Sequence, residues 1–417
     1  MKVLLINKDF SGGGAAVAFK RLFNALKKSG EADVSALVQH HRGEVDGLYP
    51  LLQFYGKHRA LFNLAIEKAL FLPYERSKAE RFAFSSAIYG NSITRHELVK
   101  KADIIHIHWI NQGFLPLSEI KKLSLTGKPI VWTMHDMWNF TGGCHYAGNC
   151  SAFIASCGNC PFLKRPSETD LSARLFQNKM QLFSRPGFIF VGCSKWLAAE
   201  AAGSKILGES EILSIPNPID TDFYKPGNKI QAREYFRLPH NKKIILFGAA
   251  KLTDKRKGLE YLLQAVKRLK EMGKTDYLLV TFGAGGTHVN FPMDNISVPY
   301  LHEEKEIAML YNAADIFVVP SLEDNLPNTI MESLSCGTPV AAFNTGGIPE
   351  MIEHKVTGYL ARPKDADNLA TGIEWLLENA NSVKLSEAAR NKAIIEYSEK
   401  VVAQRYIRLY SDILSKC

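Results

Sequence analysis

The chain has 417 residues, which exceeds one ordinary domain and predicts two. Its composition, with 46% hydrophobic and 22% charged residues and with 23 Phe, 15 Tyr and 5 Trp, excludes a disordered protein. The formal net charge of +9 suits anionic partners, among them nucleotide diphosphates, phospholipid and nucleic acid, but it does not choose among them.

The N-terminal stretch predicts the first strand of a sheet. Lys2–Asn7 is a short apolar run typical of a buried strand, and Lys8 and Asp9 interrupt it too early for a signal peptide. No apolar run in the sequence approaches the roughly 18 residues that a membrane span needs. We therefore expect a cytoplasmic protein.

A glycine-rich turn joins this strand to a predicted helix at Ala15–Lys28. Gly13 and Gly14 in this turn would let the backbone approach a phosphate or a sugar closely. Strand-to-helix turns also use glycine for purely local reasons, so the turn alone is weak evidence of a binding site.

The region 49–81 interleaves cations with apolar side chains. The cations are Lys57, His58, Arg59, Lys68, Arg76, Lys78 and Arg81, and the apolar side chains include Tyr55, Leu61, Phe62, Phe71, Leu72 and Tyr74. One interpretation is an ordinary amphipathic helix that covers the N-terminal sheet. The alternative is an interfacial helix that lies on the inner face of an acidic cytoplasmic membrane.

Further apolar runs alternate with helical stretches, which predicts an α/β domain with a parallel sheet. These runs are Asp33–Val38, Ile104–His108, Pro129–Met134 and Phe188–Gly192. His106 and His108 alternate with isoleucines, a pattern typical of core histidines that bond to the backbone. His135 and Asp136 directly follow a strand, at the sheet edge where a ligand is expected.

Four of the seven cysteines lie close together, in the pattern Cys144-x5-Cys150-x6-Cys157-x2-Cys160. Disulfides are rare in cytoplasmic proteins. We interpret the cluster as a structural Zn²⁺ site with four thiolates, although only Cys157 and Cys160 have the usual spacing. Reduced free thiols and a labile disulfide are the alternatives, and His145 is an alternative ligand.

A proline-rich stretch then predicts a hinge, because Pro216, Pro218 and Pro226 fall within eleven residues. A second α/β series begins with a strand at Lys243–Gly248. The loop after it carries four cations and leads through Gly258 into a helix; these cations are Lys251, Lys255, Arg256 and Lys257. They form either a diphosphate clamp or a set of solvated side chains.

The most informative stretch runs from Asp315 to Glu350 and reads as βαβα. Both of its strand-to-helix junctions would present helix N-termini at the carboxyl edge of a sheet, where ligands bind. Asp324 lies in the first junction, and Glu332 lies on the helix that follows. These carboxylates are either ligand-binding groups or ordinary exposed side chains.

This stretch resembles the nucleotide-sugar site of the family-4 retaining glycosyltransferases. Glu332, Cys336–Val340 and Gly346–Glu350 match the second glutamate, the Gly-x-Pro strand start and the GG-x-P-E turn of that family in order and spacing. Asp324 stands where the family usually has its first glutamate. Because Glu323 directly precedes it, either carboxylate could face the donor sugar.

The resemblance implies a GT-B fold, in which two Rossmann-like, doubly wound α/β domains face each other across a cleft. We place the acceptor domain at residues 1–216, the hinge at 217–227 and the donor domain at 228–395, with the C-terminal helix 396–417 packing back on the first domain. The implied activity is a retaining sugar transfer from a nucleotide-diphosphate-sugar donor to a saccharide or lipid-linked acceptor, in bacterial surface polysaccharide synthesis.

The leaving nucleoside diphosphate needs positive charge, which Lys257, Arg256 and helix N-termini supply without a divalent metal. The resemblance places His135 and Asp324 beside the transferring sugar. The predicted donor-binding residues are Gly13, Gly14, Lys251, Gly283, Asn328, Glu332 and Gly347. A nucleotide-sugar epimerase and a nucleic-acid-binding protein are the rival classes, and we expect no nucleic-acid partner.

Overall fold

A computed structural model describes residues 1–53, 55–78, 80–284, 289–301, 303–380 and 382–416. The chain divides into two compact units. The first comprises Met1–Asn217 together with Val402–Cys417, and the second comprises Pro218–Val401. No helix in the described residues is both long enough and apolar enough to span a membrane.

The first unit contains a parallel sheet in the order β3-β2-β1-β4-β5-β6-β7. Its strands are β1 (Lys2–Asn7), β2 (Asp33–Val38), β3 (Leu48–Pro50), β4 (Ile104–Ile107), β5 (Ile130–Met134), β6 (Phe188–Gly192) and β7 (Glu211–Ser214). Its α-helices are α1 (Gly14–Ser29), α2 (Gly56–Phe71), α3 (Glu97–Lys101), α4 (Leu117–Ser124), α5 (Leu171–Phe183) and α6 (Lys195–Gly203).

The second unit contains a separate parallel sheet in the order β10-β9-β8-β11-β12-β13. Its strands are β8 (Lys243–Lys251), β9 (Tyr277–Ala284), β10 (Asn295–Val298), β11 (Ile316–Val319), β12 (Val340–Phe343) and β13 (Gly358–Ala361). Its α-helices are α7 (Lys229–Tyr235), α8 (Leu259–Glu271), α9 (Glu304–Ala313), α10 (Asn328–Ser335), α11 (Ile348–Met351), α12 (Ala366–Glu378) and α13 (Val383–Tyr397). A last helix, α14 (Glu399–Ser415), spans the end of the second unit and returns to the first.

The strands of the first sheet are continuous apolar runs because both faces of the sheet are covered. Along β1, Leu4 and Ile6 pack into one core cluster, while Val3 and Leu5 pack into another on the opposite face. Successive side chains of a strand point to opposite faces, so a strand covered on both sides needs apolar residues at every position. Helix α14 contributes to the second cluster, which accounts for its return to the first unit.

Several elements differ from the sequence predictions. The C-terminal helix predicted at 396–417 corresponds to α14, which begins at Glu399 after a break from α13 at Ser398. Strand β8 continues to Lys251 beyond the predicted end at Gly248, with an irregularity in its pairing to β9 between those two residues. His106 is a core histidine as expected, but its partners are the hydroxyls of Tyr410 (2.6 Å) and Thr133 (2.8 Å) and not the backbone.

Helix α2 is not the ordinary amphipathic helix that one interpretation predicted. Its buried face carries Asn63 and Glu67, whose side chains bond to the Asn91 side chain (3.0 Å) and the Ala87 backbone N–H (3.2 Å). Leu61, Phe62 and Leu70 lie on the exposed face, whereas Phe71 is buried and stacks on Phe84. The sequence pattern alone did not tell which side of this helix faces the core.

A buried carboxylate organises the loop before α3. Oε1 of Glu119 accepts hydrogen bonds from the backbone N–H groups of Ile93 and Thr94 (both 2.7 Å) and from the hydroxyls of Ser92 (2.9 Å) and Thr94 (2.7 Å). Burial alone would raise the pKa of Glu119, but these hydrogen bonds to the ionised form outweigh it and lower the pKa to about 2.

Because of this arrangement, the stability of the first unit should change with pH in the acidic range. A carboxylate with a lowered pKa stabilises the fold above its usual value of 4.5, and this contribution is lost as the pH falls from 4.5 towards 2. We expect Glu119→Gln to reduce the free energy of unfolding by about 2 kcal/mol at pH 7. The difference from the wild type should shrink below pH 4.5. Urea titrations across this range measure it.

The matched control is Glu97→Gln, which removes an exposed carboxylate paired with Lys100 on α3. This variant should lower the free energy of unfolding far less than Glu119→Gln does, because the Glu97 carboxylate is exposed. A Glu119→Gln effect that stayed constant down to pH 2 would contradict the assignment of the acid dependence to Glu119.

Candidate active site

In the second unit, an ion pair lies where the loops after β8 and β11 meet. Nζ of Lys257 lies 2.6 Å from Oδ2 of Asp324. The same carboxylate accepts bonds from the buried Ser321 hydroxyl (3.3 Å) and from the Asn325 backbone N–H (3.1 Å). The structure therefore brings together Lys257 and Asp324, which lie 67 positions apart in the sequence.

Glycines allow these loops to approach closely. Gly258 and Gly346 have φ values of +67° and +56°, which L-residues rarely adopt. A Cβ at Gly258 would overlap the Pro320 carbonyl oxygen, and a Cβ at Gly346 would overlap that of Asp324. The loop after β11 is thus packed between the loops that follow β8 and β12.

The other predicted donor-binding residues occupy different positions around this edge. Arg256 is exposed, and its guanidinium bonds to Asp254 (2.8 Å). Lys251 is the exposed last residue of β8, and Gly283 lies near the end of β9, against the carbonyl oxygen of Ala249. The neighbouring glycines 285 and 286 of the predicted loop lie outside the described residues.

Helix α10 carries two further predicted residues. Asn328 is its first residue, and Glu332 is buried one turn later, where it accepts a hydrogen bond from the Tyr311 hydroxyl (3.1 Å). Burial and the Glu332 charge raise the pKa of Tyr311 well above its usual value. Gly347 precedes α11, and its N–H donates to the Asp324 carbonyl oxygen (3.3 Å). Tyr311 lies on a helix that gave no sequence signal for a functional residue.

In the first unit, the predicted residues lie at the carboxyl ends of β1 and β5. Gly13 caps α1 in a left-handed conformation, and Gly14 is the first residue of this helix. A Cβ at Gly13 would meet no atom within 4 Å, so no packing contact in the described residues demands a glycine there. His135 directly follows β5, and its Nε2 lies 3.0 Å from Nδ1 of His108.

Burial governs the charge of His135. It lowers the pKa of His135 to about 4, although the neighbouring Asp136 carboxylate opposes this shift. Burial also lowers the pKa of His108 well below its usual range, with His106 and His135 adding to the effect. At neutral pH both imidazoles are therefore uncharged, and His135 offers a neutral hydrogen-bonding group.

Asp136 belongs to a network that the sequence did not predict. Its Oδ2 accepts from the Trp109 indole (3.0 Å) and lies 2.8 Å from Nδ1 of His145, whose Nε2 bonds to the Ser85 hydroxyl (2.9 Å). Burial alone would raise the pKa of Asp136, but His145 and the N–H donors of Trp138 and Trp109 lower it. Both ring nitrogens of His145 are therefore engaged in this network.

The four clustered cysteines are free thiols. Burial raises the pKa of Cys144 to about 12 and those of Cys157 and Cys160 to about 11. Across the described ranges, no three His, Cys, Asp or Glu side chains already converge on one metal position. The predicted zinc site is therefore not preformed in this structure.

The fold resembles solved glycosyltransferase structures of the GT-B class. Anabaena HepE in complex with UDP-glucose matches with a TM-score of 0.61 and 15% sequence identity, over 99% of this chain and 100% of that one. Two parallel-sheet α/β units with this likeness define a GT-B fold, which confirms the predicted fold class.

Family models identify the group more closely. The model described as Glycosyltransferase Family 4 matches residues 12–223, just over half of the chain, and the model described as Glycosyl transferases group 1 matches residues 241–379. The chain belongs to Glycosyltransferase Family 4. The predicted family is thus confirmed.

Individual relatives match in part or in full. An N,N'-diacetylbacillosaminyl-diphospho-undecaprenol α-1,3-N-acetylgalactosaminyltransferase of Campylobacter jejuni is 29% identical over 165 residues, 38% of this chain and 42% of that protein. An uncharacterized glycosyltransferase of Haemophilus influenzae is 24% identical over 406 residues, 94% of this chain and 95% of that protein. The chain spans 42–50% of the length of the Campylobacter protein and two further curated relatives.

The close packing at Gly346 can be tested by adding a Cβ at this position. We expect Gly346→Ala to reduce the free energy of unfolding by about 2 kcal/mol more than Gly273→Ala, because only the first adds an overlap to the backbone strain. Gly273 is a matched control: it also has a positive φ, +79°, but its surroundings are open. Thermal unfolding compares the variants, and equal effects would contradict the predicted packing constraint.

Proposed function

We propose that the second unit binds a nucleotide-diphosphate sugar where the loops after β8, β11 and β12 meet. The observation that carries the proposal is the Lys257–Asp324 ion pair, which lies beside the N-terminal ends of α8 and α10. A helix N-terminus and a lysine both favour a bound diphosphate. The match of this half of the chain to the group 1 glycosyltransferase model supports the same assignment.

Lys257 would bind the diphosphate and stabilise the charge that develops on it as the sugar leaves. Its side chain is 31% exposed, so an incoming phosphate can reach the ammonium group without unfolding the loop. A diphosphate carries more negative charge than the single carboxylate of Asp324, and it would compete with that carboxylate for Lys257. Asp324 would then be released to face the transferring sugar.

We further propose that transfer retains the anomeric configuration and needs no divalent metal. The family-4 motif of Glu332 and Gly346–Glu350 supports retention, and Lys257 with the helix dipoles supplies charge in place of a metal. Glu332 would bind the ribose hydroxyls. His135, which is neutral at pH 7, would donate a hydrogen bond to a sugar hydroxyl or accept one from it.

The acceptor proposed here is a saccharide, free or linked to a lipid diphosphate, and the setting is bacterial surface polysaccharide synthesis. The Campylobacter relative is named for action on a diphospho-undecaprenol-linked sugar, and this name supports a lipid-linked acceptor. The UDP-glucose bound by HepE supports a nucleotide-sugar donor.

The exposed α2 face supports a membrane as the place of action. This face consists of Leu61, Phe62, Ala65, Ala69 and Leu70, which recur at helical spacing and are all exposed. Phe62 is 61% exposed and Leu61 52% exposed, whereas Glu67 on the opposite face is buried. An apolar face towards solvent, over a buried polar face, fits insertion into a membrane surface better than it fits an isolated water-soluble helix.

The charges around this face fit an acidic membrane. Residues 55–82 contain six Lys or Arg and three Glu, a net charge of +3. Of the three glutamates, Glu67 is buried, and Glu75 and Glu80 are paired with Arg81 and Arg76. We therefore propose that the first unit docks on anionic lipid, with Lys57 and Arg59 near the headgroups.

Replacement of Lys257 tests the proposed reaction. Once a screen of UDP-, GDP- and ADP-sugars has identified the donor, we expect Lys257→Ala to lower the rate of sugar transfer about 10²- to 10³-fold. The variant should remain folded because the ion pair is partly exposed. Transfer and product configuration are measured by chromatography and proton NMR, with and without chelator.

The matched control is Lys267→Ala, which removes an exposed lysine from α8 away from the ion pair. It should transfer sugar at the wild-type rate. Unchanged turnover in Lys257→Ala would contradict the role of this lysine, and inversion of configuration would contradict retention. Loss of activity with chelator that Mg²⁺ or Mn²⁺ restores, but Zn²⁺ does not, would contradict metal-independent transfer. Acceptor-free interconversion of nucleotide sugars would point to an epimerase.

Serine substitutions test membrane docking. We expect Leu61→Ser/Phe62→Ser to reduce binding to phosphatidylglycerol vesicles at least about tenfold, because two apolar side chains no longer insert. The wild type should bind phosphatidylcholine vesicles weakly, and added salt should weaken its binding to the anionic vesicles. Vesicle sedimentation measures the bound fraction.

The control variant is Leu125→Ser/Ile230→Ser, which removes two exposed apolar side chains elsewhere on the chain. It should bind vesicles as the wild type does. Equal binding by both double variants would show that the exposed α2 face is not the docking surface.

A further inference from the structure

The four clustered cysteines surround a single small cavity. Cys144, Cys150, Cys157 and Cys160 all line it, and the rings of Phe84 and Phe153 help to close it. Its volume is about 20 Å³, which is room for one water molecule or one ion. The proposed glycosyl transfer uses none of these thiols.

Two glycines in the local sequence allow the thiols to come together. A Cβ at Gly142 would overlap the Ser172 carbonyl oxygen, and a Cβ at Gly143 would overlap the Phe84 ring, so two glycines let the loop pack around the cavity. The Gly142 N–H donates to the sulfur of Cys157 (3.2 Å). An N–H···S bond of this kind favours a sulfur that carries negative charge.

A buried cation adjoins the cluster. Lys179 lies on the apolar face of α5 and is fully buried. Its ammonium donates to the carbonyl oxygens of Trp138 and Thr141 and lies 3.5 Å from the centre of the Trp138 ring. Among the described residues it forms no ion pair with a carboxylate. Burial lowers the pKa of Lys179 to about 7, and Cys144, Cys157 and Asp136 oppose this shift.

We propose that this cavity is a structural Zn²⁺ site with Cys144, Cys150, Cys157 and Cys160 as its four ligands. Zinc in structural sites is tetrahedral and is commonly held by four thiolates. Binding forms four Zn–S bonds and releases four protons from the thiols, which leaves a site with a net charge of −2. Lys179 offsets part of that charge, which gives the buried cation a counter-ion.

The thiols must change rotamer to close on the ion. They do not converge on one metal position in the described structure, but they share one cavity. A cysteine sulfur moves by rotation about χ1 alone, between staggered rotamers. The soft thiolate ligands select Zn²⁺ over Mg²⁺ or Ca²⁺, which prefer oxygen.

Such a site would fix two neighbouring segments. Two backbone hydrogen bonds join the loop that carries the cysteines, residues 142–164, to Tyr74 and Ser85. The Ser85 N–H donates to the Gly143 carbonyl oxygen (2.8 Å), and the Lys164 N–H donates to the Tyr74 carbonyl oxygen (2.8 Å). The same loop carries His145, which bonds to Asp136 beside His135. The metal is thus a brace for the strand-end residues of the first unit and not a reactant.

The test is the metal content of the full-length protein, purified without chelator. We expect about one zinc per chain by mass spectrometry of metals. Replacement by Co²⁺ should give the intense visible absorption of a tetrahedral cobalt–thiolate centre, which reports the ligands directly. Cys157→Ser/Cys160→Ser should lose both the zinc and the absorption. Cys193→Ser/Cys336→Ser, which alters two buried cysteines outside the cluster, should keep both.

Each outcome bears on the proposal independently of transferase activity. Wild-type protein in which the four clustered thiols are reduced but bind no zinc, before and after incubation with Zn²⁺ under reducing conditions, would overturn it in favour of free thiols. Mass spectrometry of protein purified without reductant could instead reveal a disulfide within the cluster. The proposal would then be overturned as well if this protein still bound no metal after reduction and incubation with Zn²⁺. If Cys157→Ser/Cys160→Ser does not fold, the wild-type zinc content and cobalt spectrum still decide.

Discussion

The candidate site of the second unit depends on close backbone packing between loops of neighbouring strands. Gly258 lies against the Pro320 carbonyl oxygen, and Gly346 lies against that of Asp324. Parallel strands place their carboxyl ends at one edge of the sheet, so loops that are distant in sequence become neighbours there. Without these glycine contacts, Asp324 could not lie 2.6 Å from Lys257 while its own backbone contacts the turn at Gly346. The motif residues thus act first as packing elements, and this packing defines where the side chains point.

The first unit uses buried polar contacts to the same end. His108 holds His135, and His145 and Trp109 hold Asp136, so the residues that follow β5 are fixed by partners from two other segments. Burial keeps the histidines neutral at physiological pH, which suits recognition of hydroxyl groups more than binding of phosphate. The two units therefore differ in character: the second offers cations at its strand ends, and the first offers neutral hydrogen-bonding groups.

The sequence predicted the features that depend on local pattern. Strands β1 and β6 are apolar along their buried central positions because both faces of the sheet are covered, and their predicted bounds agree with the structure. Tertiary contacts, which no local pattern encodes, determine the break at Ser398, the extension of β8 to Lys251 and which face of α2 is buried. Arg256 shows the same limit, since its guanidinium bonds to Asp254 within its own loop. A signal for Lys179 was present, because this lysine interrupts an apolar helical stripe that includes Phe176 and Phe183.

The central claim, that the loops following β8, β11 and β12 form one nucleotide-binding site, is tested most directly by hydrogen–deuterium exchange of the full chain with and without saturating UDP, GDP or ADP. The account predicts that one nucleotide slows backbone exchange together in residues 254–258, 321–328 and 345–348, the segments joined by the Lys257–Asp324 pair and the Gly346 contact. Protection confined to other parts of the second unit, or no protection by any nucleotide diphosphate at millimolar concentration, would contradict it.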